Sequence, residues 1–273
     1  MPLFSSLREV STVSEFEIHT DERIDEVNDK LSLIQKKKGM TFGTDALLLS
    51  AFIDPCSYGW GIEFGAGSGI ASLLCAARNK FARISAIEVQ PEYADLCQRN
   101  VALNGFEDKI EVLCQDVRSL TFTKEANAVF ANPPYFPVKI GDSCANDGRH
   151  VARHEVCGDI YDFCKSASKV LKFGGYFYVV YHPSRLSDLL LALNAADLAP
   201  KRMTLVCDTP ASAPSMVLIK AKKGAKNELL CTPALYLHDE NGNDSPEMTH
   251  ILNGGGFPKF PKRKESQHDT RKQ

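Results

Sequence analysis

Three glycines, at 65, 67 and 69, constrain this chain more than any other feature. They lie in Ile62-Glu63-Phe64-Gly65-Ala66-Gly67-Ser68-Gly69-Ile70. A short apolar run from Trp60 to Phe64 precedes them, and an Ala- and Leu-rich segment, Ile70 to Asn79, follows. A strand that turns at once into a helix needs residues without a Cβ. Glycine takes left-handed backbone conformations at little cost and lets a ligand come close to main-chain atoms. The order strand, glycine turn, helix is how a parallel α/β sheet begins.

The rest of the chain repeats the alternation. Arg83 to Val89 reads as a second strand. Pro91 opens a helix at the position where its missing N–H costs nothing. Tyr93, Cys97 and Val101 recur every four residues, and Asn104-Gly105 ends that helix. Ile110 to Cys114 is a third strand and Asn127 to Ala131 a fourth. Ile160 to Leu171 reads as a helix stopped by Gly174-Gly175. Tyr176 to Tyr181 is a continuous apolar strand of the kind covered on both faces. Arg185 to Ala196 reads as a helix, Arg202 to Cys207 as a strand, and Met216 to Ala221 as the last strand. Ahead of the glycines, Gly43 to Ile53 reads as a helix capped by Thr44 or Asp45 and ended by Pro55. This pattern predicts a doubly wound, mainly parallel sheet with its ligand beyond the carboxyl ends of the strands, at the switch in strand order. Residues 1–23 are expected to form a polar N-terminal arm and 24–240 a single domain. Residues 241–273, rich in Gly, Asn, Pro and Lys, are expected to form a basic, flexible tail.

What lies around the turn sharpens the ligand. A dinucleotide fingerprint needs its third glycine at 70, where this chain has Ile, which argues against NAD. The second strand ends at Glu88, where a carboxylate can accept two hydrogen bonds from a ribose diol. The third is followed by Gln115-Asp116-Val117. An acid there can accept from an adenine amino group while Val117 packs on the ring. Glycine turn, acid, acid, in that order resembles the class I S-adenosylmethionine methyltransferases. The resemblance implies a Rossmann-like, seven-stranded, mostly parallel sheet with helices on both faces and an antiparallel last strand, the place of Met216 to Ala221. It assigns Gly65, Gly67 and Gly69 to the amino-acid end of S-adenosylmethionine, Glu88 to the ribose, and Asp116 and Val117 to the adenine. Thr44 is expected to join the cofactor-binding set, and S-adenosylhomocysteine to be the product.

The fourth strand runs into Asn132-Pro133-Pro134-Tyr135. Two prolines cannot continue a strand interior, so the chain must break outward as a stiff loop. An amide or adenine amino nitrogen is a poor nucleophile, because its lone pair is delocalised. The Asn side-chain oxygen and a proline carbonyl can accept its two hydrogens and leave the lone pair facing a methyl group. Tyr135 can stack on the planar substrate. Asn-Pro-Pro-Tyr at this place resembles the amino-methyltransferase branch, whose members act on adenine N6, on guanine N2 of ribosomal RNA, or on a glutamine amide of release factors.

Composition and flanking residues narrow the substrate. The chain has 32 basic and 34 acidic residues, a net charge of −2, so it is no polycation. Two basic runs stand out, Lys36-Lys37-Lys38 and the stretch holding Lys259, Lys262, Arg263 and Lys264. Leu33 to Leu49, with Gln35, the lysines and Gly43-Thr44-Asp45-Ala46-Leu47-Leu48, resembles the small bacterial enzymes that methylate N6 of adenosine 37 in a valine tRNA. Ala152-Arg153-His154-Glu155 is similar too. The resemblance implies tRNA, or another structured RNA, as partner. Lys36, Lys37, Lys38, Arg149, Arg153, Lys262, Arg263 and Lys264 are the candidate phosphate contacts. The alternatives are a guanine-N2 or glutamine methyltransferase and a non-catalytic RNA-binding protein. Only about 60 residues precede the first strand, few for the helical N-terminal domain of glutamine methyltransferases. His150 and His154 with Glu155 lack a third ligand, so no metal is expected. Nine scattered cysteines without a Cys-x-x-Cys pair fit reduced thiols in a cytoplasm. No apolar run reaches the roughly 20 residues of a membrane helix, and no secretory signal is visible. The expected state is a monomer or weak dimer.

Overall fold

The computed structural model describes residues 18–37, 43–133 and 158–259. Its first element is a hairpin, β1 (Glu22–Asn28) and β2 (Leu31–Lys36), where a loose arm as far as residue 23 was expected. Leu31, Leu33 and Ile34 are buried, whereas β1 buries only Glu22. β1 therefore carries no apolar alternation for sequence patterning to detect. The hairpin docks on α3 (Pro91–Leu103) through side-chain amides. Asn100 accepts from the Ile34 N–H at 2.6 Å and donates to its carbonyl at 3.0 Å. Asn104 does the same for Ser32, at 3.0 and 2.8 Å. Spaced by four residues, the two amides lie on one helix face and serve the backbone of β2 as a neighbouring strand would.

α1 (Thr44–Phe52) begins one residue later than expected, with Gly43 at the cap position and no side-chain cap. Asp45 turns instead to the N–H of Ala46, at 2.9 Å. Then follow β3 (Cys56–Phe64), α2 (Ile70–Ala77), β4 (Phe81–Glu88), α3, β5 (Ile110–Cys114) and β6 (Ala126–Ala131). After these come α4 (Ile160–Val170), β7 (Leu171–Tyr181), α5 (Leu186–Ala195), β8 (Leu198–Cys207) and β9 (Pro214–Lys223). α4 passes straight into β7, so Gly174-Gly175 lies inside a strand rather than stopping the helix. Gly174, at φ 76, sits near a break in the β6–β7 register.

Seven long strands run in the order β5, β4, β3, β6, β7, β9, β8, and β9 is antiparallel to both its neighbours, as expected of the Met216 to Ala221 segment. Two short strands beyond it, β10 (Leu230–Cys231) and β11 (Leu235–Tyr236), extend the β8 edge. Side chains alternate across the sheet. Phe130, Tyr178 and Leu218 face α1 and α2, while Ile62, Phe64, Phe177 and Ile219 face α4 and α5.

Part of the expected tail is folded. α6 (Pro246–Leu252) starts at Ser245, whose hydroxyl accepts the Met248 N–H at 3.0 Å, and it buries Met248 and Ile251 in the α1 face of the core. Beyond it, Phe257 meets Phe52 edge-on at 5.1 Å and donates its N–H to the Ala51 carbonyl at 3.2 Å. Seven residues with two buried apolar side chains are too short a pattern to separate from a polar tail.

Candidate active site

Strand register brings the expected residues into one row. Phe64 pairs with Ile87 on one side and Ala131 on the other. Gly65, Glu88 and Asn132 therefore stand next to one another at the carboxyl edge, on strands about 4.8 Å apart. Glu88 pairs in turn with Cys114, which places Asp116 one strand further along. β3 is the strand between β4 and β6, so the row straddles the switch in strand order.

The glycine turn is left-handed at Gly65, Gly67 and Gly69, with φ of 68, 54 and 82. A Cβ on Gly69 would lie 2.5 Å from the Cys97 sulfur, whereas one on Gly67 would meet nothing within 4 Å. Three hydrogen bonds pin the loop. The Ala66 N–H donates to the Ile87 carbonyl at 2.9 Å, and the Gly67 N–H to Glu88 Oε2 at 2.8 Å. Asn100 donates to the Ser68 carbonyl at 3.0 Å. Behind the turn Glu63 accepts from the N–H and the hydroxyl of Ser72. Burial pushes the Glu63 carboxyl up to about 8, against the lowering pull of Ser72.

Glu88 is 4% exposed, and its Oε1 accepts the Gln90 N–H at 2.9 Å. It props the glycine loop besides facing the ligand edge. Its two oxygens have about four acceptor sites in all, enough to keep both N–H partners and take a diol. Asp116 is half-buried. Its Oδ1 accepts the Arg118 N–H at 2.8 Å and its Oδ2 meets the Arg118 guanidinium at 2.6 Å, which holds the carboxyl below its usual range. Val117 follows Asp116 as the first residue of a short 3-10 turn. Its side chain is 6% exposed and packed into the α4 face of the core. A Cβ on Gly67 would meet only open space, and the Glu88 and Asp116 carboxylates end the next two strands, so this edge offers backbone N–H groups and acid acceptors of the kind that the amino-acid, ribose and adenine portions of S-adenosylmethionine need.

On the other side of the glycines, Asn132 is half-buried and Pro133 buried. Asn132 Nδ2 donates to Asp45 Oδ2 at 2.6 Å. Thr44, expected near the cofactor, is the first residue of α1 and adjoins Asp45. Pro134, Tyr135, Lys38, Arg149, Arg153, Lys262, Arg263 and Lys264 lie outside the described residues, as do His150 and His154. Lys36 and Lys37, expected to meet phosphates, are tied into the hairpin. Lys36 pairs with Asp21 at 3.0 Å and Glu22 at 3.2 Å, and Lys37 donates to the Thr20 carbonyl at 2.9 Å. The antiparallel register sets Lys36 opposite Glu22, which explains the pairing. Sequence reasoning passed over Glu63, Asp45 as a partner of Asn132, and Asn100. Glu63 had a signal, an acid two places before the first glycine. Asp45 lies in the Gly43-Thr44-Asp45-Ala46-Leu47-Leu48 stretch, but its pairing with Asn132, like that of Asn100 with β2, spans a long stretch of chain and left no signal.

A glycine turn braced by acids at the switch of a sheet in this strand order, beside Asn-Pro after the fourth parallel strand, defines a class I S-adenosylmethionine-dependent methyltransferase. Residues 61–170 match the TRM5/TYW2 methyltransferase domain. The chain is 32% identical over 186 residues to a tRNA1(Val) (adenine(37)-N6)-methyltransferase of Phocaeicola vulgatus, covering 67% of this chain and 77% of that protein. With the protein of the same description from Bacteroides fragilis it shares 30% over 203 residues, 72% of this chain and 84% of that one. The chain belongs to the tRNA1(Val) (adenine(37)-N6)-methyltransferase family. In fold it is similar to the crystal structure of a predicted O-methyltransferase from Agrobacterium tumefaciens. That TM-score is 0.64 at 23% identity, over 78% of this chain and 98% of the other. Among the described residues no helix is long and apolar enough to cross a membrane.

Proposed function

We propose that this methyltransferase modifies N6 of adenosine 37 in the anticodon loop of a valine tRNA. One observation carries the reading. Asn132 leaves β6 level with Gly65, so an acceptor for an amino group adjoins the turn assigned to the methyl donor. Bound there, S-adenosylmethionine supplies an electrophilic methyl group. The Asn132 side-chain oxygen and the Pro133 carbonyl accept the two hydrogens of the exocyclic amine. They hold the nitrogen still and turn its lone pair toward the donor. The work is positioning and charge placement; as the N–C bond forms and the S–C bond breaks, the proton shed by the nitrogen passes to solvent. A loop adenine is readily splayed from its neighbours, and Tyr135 is the side chain assigned to stack on it. The candidate phosphate contacts are Lys36, Lys37, Lys38, Arg149, Arg153, Lys262, Arg263 and Lys264, of which Lys36 and Lys37 also hold partners in the hairpin. The protein acts in the cytoplasm as a monomer or weak dimer.

The test is transfer of labelled methyl groups into unmodified valine tRNA, with the product nucleoside identified after digestion. N6-methyladenosine at position 37 is the expected result. Label entering release factor or ribosomal RNA while the tRNA stays blank would overturn it. Asn132→Ala should lower turnover by at least 100-fold, the scale seen when one transition-state hydrogen-bond partner is removed, and leave cofactor binding intact.

A further inference from the structure

Asp45 stands in the first turn of α1, and its two carboxylate oxygens have separate tasks. Oδ1 accepts the Ala46 N–H at 2.9 Å, which ties the carboxylate to its own helix. Oδ2 accepts Asn132 Nδ2 at 2.6 Å. α1 itself is firmly set. Ala46 through Phe52 are all buried, and three cations serve its far end. Lys80 donates to the carbonyls of Ala51 and Ile53, Arg202 to that of Phe52 at 2.6 Å, and Arg78 to the Ser50 hydroxyl.

An Asn side chain is nearly symmetric in shape and opposite in chemistry at its two ends. Turned by 180° about its last bond, it would offer an amine substrate N–H groups where oxygen is needed. An ionised carboxylate has no hydrogen to donate, so only the Nδ2 end of Asn132 can face it. We infer that Asp45 is a positioning residue for methyl transfer, holding the Asn132 amide so that its oxygen, and not its nitrogen, is turned toward the substrate amine. The inference rests on the reading of Asn132 given above. The bond to a charged acceptor is short and stronger than one between neutral groups. It also draws electron density through the amide toward Oδ1 and makes that oxygen a better acceptor.

The test uses the full-length protein, S-adenosylmethionine and unmodified valine tRNA. Asp45→Ala should lower kcat by 10- to 100-fold, the range that misplacement of a reacting group causes. KM for tRNA and the calorimetric Kd for cofactor should stay within about threefold. Asp45→Asn has one oxygen for two N–H donors and an NH2 of its own that lets Asn132 turn round, so it should also lower kcat at least 10-fold while sparing cofactor affinity. A kcat within twofold of the parent in Asp45→Ala would overturn the inference. So would lost cofactor affinity in both variants, which would make Asp45 a cofactor contact. Should the Ala variant not fold, the Asn132 side-chain amide resonance, identified by its absence in Asn132→Ala, gives a second readout. It should move upfield in Asp45→Asn, and an unmoved signal would overturn the inference. The resonance also separates the two proposals. A parent protein that leaves valine tRNA unlabelled rejects the substrate, while the amide signal still decides the Asp45 contact.

Discussion

Arg99 on α3 grips Glu22 at the start of the hairpin with both arms of its guanidinium, Nη1 to Oε2 and Nη2 to Oε1, each at 2.8 Å. The Glu22 side chain is fully buried, and Arg99, followed by the His19 N–H and Lys36, lowers its carboxyl from 4.5 to about 2. A depressed carboxyl stabilises the fold above its unfolded value, and the contribution is lost as pH falls from 4.5 through 2. Here that contribution is about 3 kcal/mol. Glu22→Gln should therefore cost roughly 3–5 kcal/mol at pH 7, because Arg99 loses a buried partner. Urea unfolding at pH 7 and pH 3 should show the gap between variant and parent narrowing in acid. An equal gap at both pH values would sink the assignment.

Glu63 titrates in the opposite sense. Its carboxyl is raised from 4.5 to about 8, so its stabilising contribution is complete below 4.5 and is lost as pH rises through 8. Glu63→Gln keeps an oxygen for Ser72 and has no charge to bury. The variant should match or exceed the parent's Tm at pH 8 and show a flatter Tm profile between pH 5 and 8. Superimposable profiles would show that this carboxyl does not titrate in the window.

Two glycines of the same turn should fail differently. Gly69→Ala combines a left-handed backbone with a clash against the buried Cys97 sulfur. The expected loss of stability is roughly 2–4 kcal/mol. Gly67→Ala has the backbone penalty alone, about 1 kcal/mol, but its methyl enters the space assigned to the cofactor. It should stay folded and lose cofactor affinity by at least tenfold. Thermal melts paired with calorimetry separate the two, and a Gly67→Ala protein with parental affinity would move the cofactor elsewhere.

The last helix is predicted to be part of the fold's stability. Ile251 is fully buried among α1-face residues, so Ile251→Ala should cost about 2–4 kcal/mol, and Ser245→Ala about 1 kcal/mol through the lost cap. Denaturant midpoints measure both. Two variants as stable as the parent would return 246–252 to the status of a tail.

The alternating sheet was legible because its strands are covered on both faces and read as apolar runs between glycine and proline signals. The ligand edge was legible too, since Gly65, Gly67, Gly69, Glu88 and Asp116 keep a fixed order along the chain. Boundaries were less so. β3 reaches back to Cys56 across a break in register with β4, through residues whose exposure hides them. β7 begins without a loop after α4. The first strand of the hairpin escaped notice because its one buried residue is a charged glutamate, and the arginine that makes that burial tolerable lies 77 residues away. The partners of Lys36 and Lys37 were hidden for a related reason, since a basic run does not reveal which acid or carbonyl the fold will set beside it. Asp45 and Asn132 are 87 positions apart, and nothing short of the assembled sheet edge places them together.

Part of the cover over Phe52 comes from Phe257, about two hundred residues downstream. On a ribosome, the helix that holds Asp45 emerges early and must wait, with that aromatic surface wet, until nearly all of the described chain has left the exit tunnel. A translation product cut short before Pro246 has every residue of the glycine turn and its acids. It would still carry an uncovered greasy flank, which quality-control chaperones and proteases can recognise before any partly made enzyme meets its RNA.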